Sequence, residues 1–159
     1  MGSRSKSNLA YIAGFLDGDG SVMLQVKLRS DTKRGVRFMA TICLYQDTRH
    51  EKPLHWMREI LQIGYISRRN DGMSELRING FVQVRSVLGL LQPFIRFKQI
   101  QVRALMQACT LLEEKSINSL SKRELRKLVD LVFVIRSENY KSRSSLTRAV
   151  LEKRLGLTP

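Results

Sequence analysis

The sequence predicts an α+β fold: two β-hairpins form one antiparallel, saddle-shaped sheet, helices pack on its other face, and further helices follow at the C-terminus. Three observations predict it. Residues 21–29 and 36–45 alternate apolar and polar side chains with a period of two, and a second, shorter pair of such runs occupies 65–69 and 74–78. The segments around them switch to the three-to-four spacing of a helix with one apolar side. The resulting order of helix, hairpin, helix, hairpin and then helices suits an antiparallel sheet covered on one side.

Leu9 to Asp19 reads as the first helix, with Asn8 as N-cap and Gly18 and Gly20 to stop it. In the first strand Val22, Leu24, Val26 and Leu28 oppose Met23, Gln25, Lys27 and Arg29. After the turn Ser30 to Gly35, Phe38, Ala40, Ile42 and Leu44 oppose Arg37, Met39, Thr41 and Cys43. Pro53 suits the first turn of a helix that runs to about Gln62 and carries Leu54, Met57, Ile60 and Leu61, with Gly64 to end it. The second hairpin is Tyr65 to Arg69, the turn Asn70-Asp71-Gly72, and Ser74 to Ile78. Helical spacing returns near Val82 to Leu91, Lys98 to Glu114, Lys122 to Phe133 and, more weakly, Leu146 to Leu155; Ser121 with Glu124 forms a capping-box signature. A polar leader (1–8) therefore precedes a single domain (9–159), with a core of about 9–115 and a helical extension of about 116–159.

Composition narrows the function. The 159 residues carry 28 Lys and Arg against 14 Asp and Glu, a formal net charge of +14, so the surface seeks a polyanion. Apolar residues at 43% and charged residues at 26% suit a folded domain. No apolar run approaches the roughly 20 residues of a membrane span, and Met1 to Asn8 lacks the apolar segment of a secretory signal. An intracellular protein without membrane partner or organic cofactor is expected. Cys43 and Cys109 sit in apolar stretches without a CxxC or Cys/His cluster, so they read as buried free thiols.

The run Ile12-Ala13-Gly14-Phe15-Leu16-Asp17-Gly18-Asp19-Gly20 carries the chemistry. On a helix, Ala10, Ala13, Gly14 and Asp17 make a small side that a second copy could approach across a two-fold axis, while Leu9, Ile12 and Leu16 make a bulky one. Two helix C-termini, each with negative dipole character and with Asp19 just beyond its end, would then converge and need cations. Carboxylate and carbonyl oxygens suit Mg²⁺, which is built for phosphodiester hydrolysis. A Gly-rich turn with solvated aspartates is the other reading of this spacing. An EF-hand is excluded because Val22 and Leu28 stand where that loop needs Gly and Glu.

This run resembles the LAGLIDADG motif of intron-encoded homing endonucleases. With the element order, Gln46 after the first hairpin, Gln92-Pro93-Phe94 and Lys98-Gln99, the chain is similar to the single-motif, homodimeric members of that family over almost its whole length. The resemblance implies an αββαββα-type fold, Asp19 as catalytic metal-binding acid, and Gly18 as a carbonyl ligand. It implies that Gln46 and Lys98 order water and stabilise the scissile phosphate. Mg²⁺ is the implied ion, Mn²⁺ its substitute, and Ca²⁺ a support for binding without cleavage. His50 lies where relatives place a basic residue of the same water network, although a His in a polar loop is commonly inert. The compartment the resemblance implies is an organelle, chloroplast or mitochondrion, or a prokaryotic cytoplasm.

Side chains on one strand face recur about every 6.6 Å, close to two base-pair steps of about 3.4 Å. A two-stranded ribbon can thus follow the major groove of double-stranded DNA. The candidate readers are Gln25, Lys27, Arg29, Arg37 and Thr41 from the first hairpin and Ser67, Arg69, Glu75 and Arg77 from the second, with Met23, Met39 and Cys43 for thymine methyls. Lys141 and Arg143 suit phosphates. A site-specific DNA endonuclease acting on a long, pseudo-palindromic target to promote intron mobility is the expected function. An RNA maturase and a non-cutting DNA-binding regulator are the alternatives.

Overall fold

Helix α1 (Lys6–Asp19) begins one turn earlier than the sequence suggested. Ser5 is the N-cap, and its hydroxyl accepts the N–H of Asn8 at 3.3 Å, so the residue expected to cap is itself capped. The Arg4 guanidinium donates to the carbonyls of Ile60 and Leu61 at 3.2 and 2.8 Å and fixes the start of the chain against the next helix. At the other end Asp19 is the last helical residue, where the sequence put it. Gly20 is required there on steric grounds, because a Cβ would sit 2.6 Å from Leu16 Cδ1 and 2.8 Å from Leu16 Cα. That close approach lets the helix turn directly into a strand.

The computed structural model describes residues 3–139 and 145–159. Strands β1 (Gly20–Leu28) and β2 (Val36–Asp47) form the first hairpin; β3 (Tyr65–Arg68) and β4 (Met73–Asn79) form the second. The sheet order is β1-β2-β4-β3, and every pairing is antiparallel. Val22 lies opposite Ile42, and Ile42 opposite Ile78, so the apolar members of three strands share one face.

Helices α2 (Lys52–Leu61), α3 (Phe81–Leu91), α4 (Gln99–Glu114), α5 (Lys122–Glu138) and α6 (Arg148–Arg154) complete the described chain. Gln62 takes the left-handed conformation that ends α2, at φ 58°, while Gly64 at φ 95° turns the chain into β3. Helix α5 carries both halves of the expected Ser121/Glu124 capping box. It continues past Phe133 because buried Ile135 prolongs its apolar side. Leu16 of α1, Ile42 and Leu76 of the sheet, Leu88 of α3, Leu105 of α4, Val132 of α5 and Leu151 of α6 belong to one buried cluster. Cys43 and Cys109 are buried free thiols, as expected. Among the described residues no helix is long and apolar enough to cross a membrane.

Candidate active site and nucleic-acid face

The end of α1 presents two acids in different surroundings. Asp17 is 8% exposed; its carboxylate accepts the backbone N–H groups of Arg96 at 2.6 Å and Lys98 at 3.0 Å. The Lys98 ammonium turns back to donate to the Asp17 carbonyl. Asp17 therefore fastens the segment before α4 onto α1. Asp19, two residues further, is exposed and has no hydrogen bond or ion pair among the described residues. Burial pushes the Lys98 ammonium below the ordinary lysine range, and the charges of Asp17 and Asp19 act against that shift. Lys98 thus stands in the field of Asp19.

Strand β2 outruns its partner at this end. Gly20 lies opposite Leu44, whereas Gln46 pairs with Ser74 of β4. The Gln46 side chain accepts the Asp47 N–H at 2.8 Å. Beyond it, the short turn Thr48–His50 carries an exposed His50. Glu51 anchors that turn: its carboxylate accepts from Arg68 Nη2 and Ser74 Oγ, each at 2.5 Å, and Thr48 Oγ1 lies 2.9 Å from Ser74 Oγ. The Arg68 and Ser74 hydrogen bonds hold the Glu51 carboxyl down at about 2.

The proposed small side of α1 is corrected by the packing. Ala13 is fully buried in the core of its own chain, and Asp17 is turned inward, so neither is available to a second copy. Gly14 and Gly18 are exposed, with nothing within 4 Å of where a Cβ would stand, and Ala10 is half-buried. Tyr11 (58% exposed) and Phe97 (85% exposed) are large apolar groups the sequence reading did not single out. Tyr11 meets Trp56 edge-on at 5.6 Å, and Phe97 lies between the two residues bound to Asp17.

Register gathers the predicted readers on the sheet face away from the apolar strand positions. Gln25 lies opposite Met39, Lys27 opposite Arg37, and Ser67 opposite Glu75. Lys27, Arg29, Arg37 and Arg69 are exposed, and Gln25, Ser67 and Arg77 are half-buried. Arg29 is paired with Asp31 at 2.6 Å and Arg69 with Asp71 at 2.7 Å. Three members of the set are corrected. Thr41 is fully buried, its hydroxyl donating to Asn79 Oδ1 at 2.9 Å, and Cys43 is fully buried between Ser21 and Arg77. Glu75 faces this side but is 5% exposed and committed to Arg77 Nε at 2.9 Å. Short side chains on an interior strand are covered by longer neighbours, which alternation cannot reveal. Tyr65 and Asn79 share the face, joined at 3.2 Å, and register alone would have found them. Lys141 and Arg143 lie outside the described residues.

Residues 12–96 match the model of the LAGLIDADG endonuclease family. The chain belongs to that family. It is 31% identical over 98 residues to the DNA endonuclease I-CvuI of Chlorella vulgaris, a match that spans 62% of this chain and 61% of that protein. To the DNA endonuclease I-CreI of Chlamydomonas reinhardtii it is 28% identical over 149 residues, 93% of this chain and 91% of that one. The crystal structure of I-CvuI with the I-CreI target and Mg, its DNA uncleaved, has the same fold. Its TM-score is 0.82 at 23% identity, covering 95% of this chain and 96% of that one. The LAGLIDADG meganuclease I-CpaMI, bound to uncleaved DNA, matches with a TM-score of 0.74 at 18% identity, but 92% of this chain covers only 49% of that chain.

Proposed function

We propose that this LAGLIDADG protein is a homodimeric, metal-dependent homing endonuclease that hydrolyses both strands of a long, pseudo-palindromic DNA target and so promotes the mobility of its intron. The observation that carries the reading is the exposed Asp19 carboxylate. It has no hydrogen bond or ion pair among the described residues, stands at a helix C-terminus, and has Lys98 in its field.

A divalent ion fits this donor set, given two copies. Carboxylate and backbone carbonyl are the hard oxygen ligands that Mg²⁺ takes. Among the described residues no three His, Cys, Asp or Glu side chains stand close enough to hold an ion within one chain. Exposed Gly14 and Gly18, which leave open space along α1, with Tyr11 and Phe97 nearby, suit close approach of a second copy. The I-CpaMI chain is about twice as long as the part this chain covers, which leaves room there for a second unit of this size.

In that dimer Asp19 and the Gly18 carbonyl of each chain would hold the divalent ion, which would supply activation of water and stabilisation of the leaving oxygen. Gln46, at the overhanging end of β2, orders the attacking water. Lys98 offers positive charge to the phosphate that gains charge as water adds and one ester bond breaks. The basic sheet face follows the major groove, with Gln25, Lys27, Arg29, Arg37, Ser67, Arg69 and Arg77 toward the bases.

The test is cleavage of a library of long, partly palindromic duplexes with Mg²⁺, with Ca²⁺ and with EDTA. Cuts at one discrete site with Mg²⁺ alone are expected, with binding but no cut in Ca²⁺. Tight binding to a contained site without any cut would overturn the nuclease reading in favour of a maturase or regulator.

A further inference from the structure

The outer end of the sheet, away from Asp19, is held by the last helix of the chain. The β1–β2 turn closes on itself: the Arg29 N–H donates to the Gly35 carbonyl and the Gly35 N–H to the Thr32 carbonyl, both at 2.9 Å. From this turn the Arg34 guanidinium reaches across 121 residues of sequence and donates to the Leu155 carbonyl at 3.0 Å. Leu155 is the C-cap of α6, where an unpaired carbonyl and the negative helix end both favour a cation. Gly35, at φ 66°, packs so closely that a Cβ would sit 2.8 Å from Arg154 Nη1.

Helix α6 is itself fixed. Leu151 and Leu155 are buried in the common core. Arg148 pairs with Asp130 at 2.7 Å and lies 5.0 Å from the Phe133 ring, and Arg136 donates to the Leu146 carbonyl at 2.9 Å. The tip of a two-stranded ribbon is otherwise the part freest to sway, and it carries Arg29 and Arg37 on the basic face.

We infer that Arg34 is a positioning residue for target recognition. By tying the β1–β2 turn to α6 it sets where Arg29 and Arg37 meet the outer base pairs of each half-site. This role rests on the reading of the sheet as the DNA-binding face. Its physical basis is preorganisation: a reader held in place discriminates between bases more than one that must be ordered on binding.

Two measurements on the full-length protein test it, one without DNA. Amide hydrogen exchange should show Arg29 and Gly35 losing protection at least about tenfold in Arg34→Ala, with Arg34→Gln, which retains an amide donor for Leu155, losing less. Unchanged protection in Arg34→Ala overturns the brace. Base-preference profiling on the cleaved or bound target should then show Arg34→Ala losing discrimination about fivefold or more at outer positions only, with central positions and melting temperature near wild type. A uniform loss of affinity across all sequences, with the salt dependence reduced by about one phosphate contact, makes Arg34 a phosphate ligand and overturns the inference. A wild-type protein that discriminates no duplex position removes the DNA reading, and the positioning role with it, whatever the exchange data show.

Discussion

Asp17 and Asp19 stand two residues apart in one turn of helix and do opposite work. Asp17 is enclosed: its carboxylate accepts the N–H groups of Arg96 and Lys98, and its backbone carbonyl accepts the Lys98 ammonium. Asp19 is left open, with no hydrogen bond or ion pair among the described residues. A carboxylate whose lone pairs are filled by its own chain builds structure. One left unfilled at a basic surface keeps its lone pairs for a ligand. Glu51 belongs to the first kind, since Arg68, Ser74 and His55 surround it.

The largest effect expected from this contrast is functional and falls on Asp19. Asp19→Asn should abolish cleavage in Mg²⁺, while the melting temperature and DNA binding in Ca²⁺ stay at wild-type levels. Residual specific cutting by the purified variant would show that the metal site lies elsewhere.

The next effect is on folding and falls on Asp17. Asp17→Ala strands two covered N–H groups and removes the link between α1 and the start of α4, so a loss of about 3 kcal/mol is expected in urea unfolding. Asp17→Asn keeps one acceptor oxygen and should lose about half as much. If Asp17→Ala unfolds like wild type and only Asp19→Asn changes anything, the division of labour between the two acids is wrong.

Much of this was legible in the residues. Strict alternation in 21–29 and 36–45 gave both strands and their faces, and the register places Lys27 opposite Arg37 on the face where they were expected. The resemblance singled out Asp19, Gln46 and Lys98, and the fold sets Lys98 in the field of Asp19. The dimer side of α1 was misread because helical spacing groups Ala10, Ala13, Gly14 and Asp17 within one broad arc. Only the docked segment before α4 decides which half of that arc is buried. Thr41 fell on the predicted face yet is covered, because exposure depends on neighbouring strands as well as on the residue's own phase. The bond from Arg34 to Leu155 joins a turn to a helix end 121 residues away and has no local signature.

The smallest effect concerns Glu51. Arg68 and Ser74 lower its carboxyl from an ordinary 4.5 to about 2. A folded-state value below the unfolded one means that the ionised form is favoured by folding. The stability this contributes is complete above about 4.5 and disappears as the pH falls toward about 2. Glu51→Gln removes the charge at every pH. Asp31, Asp47 and Glu124, also lowered to about 2, are common to both proteins, so the difference between the two melting curves reports Glu51 alone. Wild type should melt higher than Glu51→Gln near neutrality, and the gap should shrink as the pH falls from about 4.5 to about 2. A gap that stays constant across that window would mean that Glu51 holds the Thr48–His50 turn by shape and hydrogen bonding, with its charge contributing nothing to the difference.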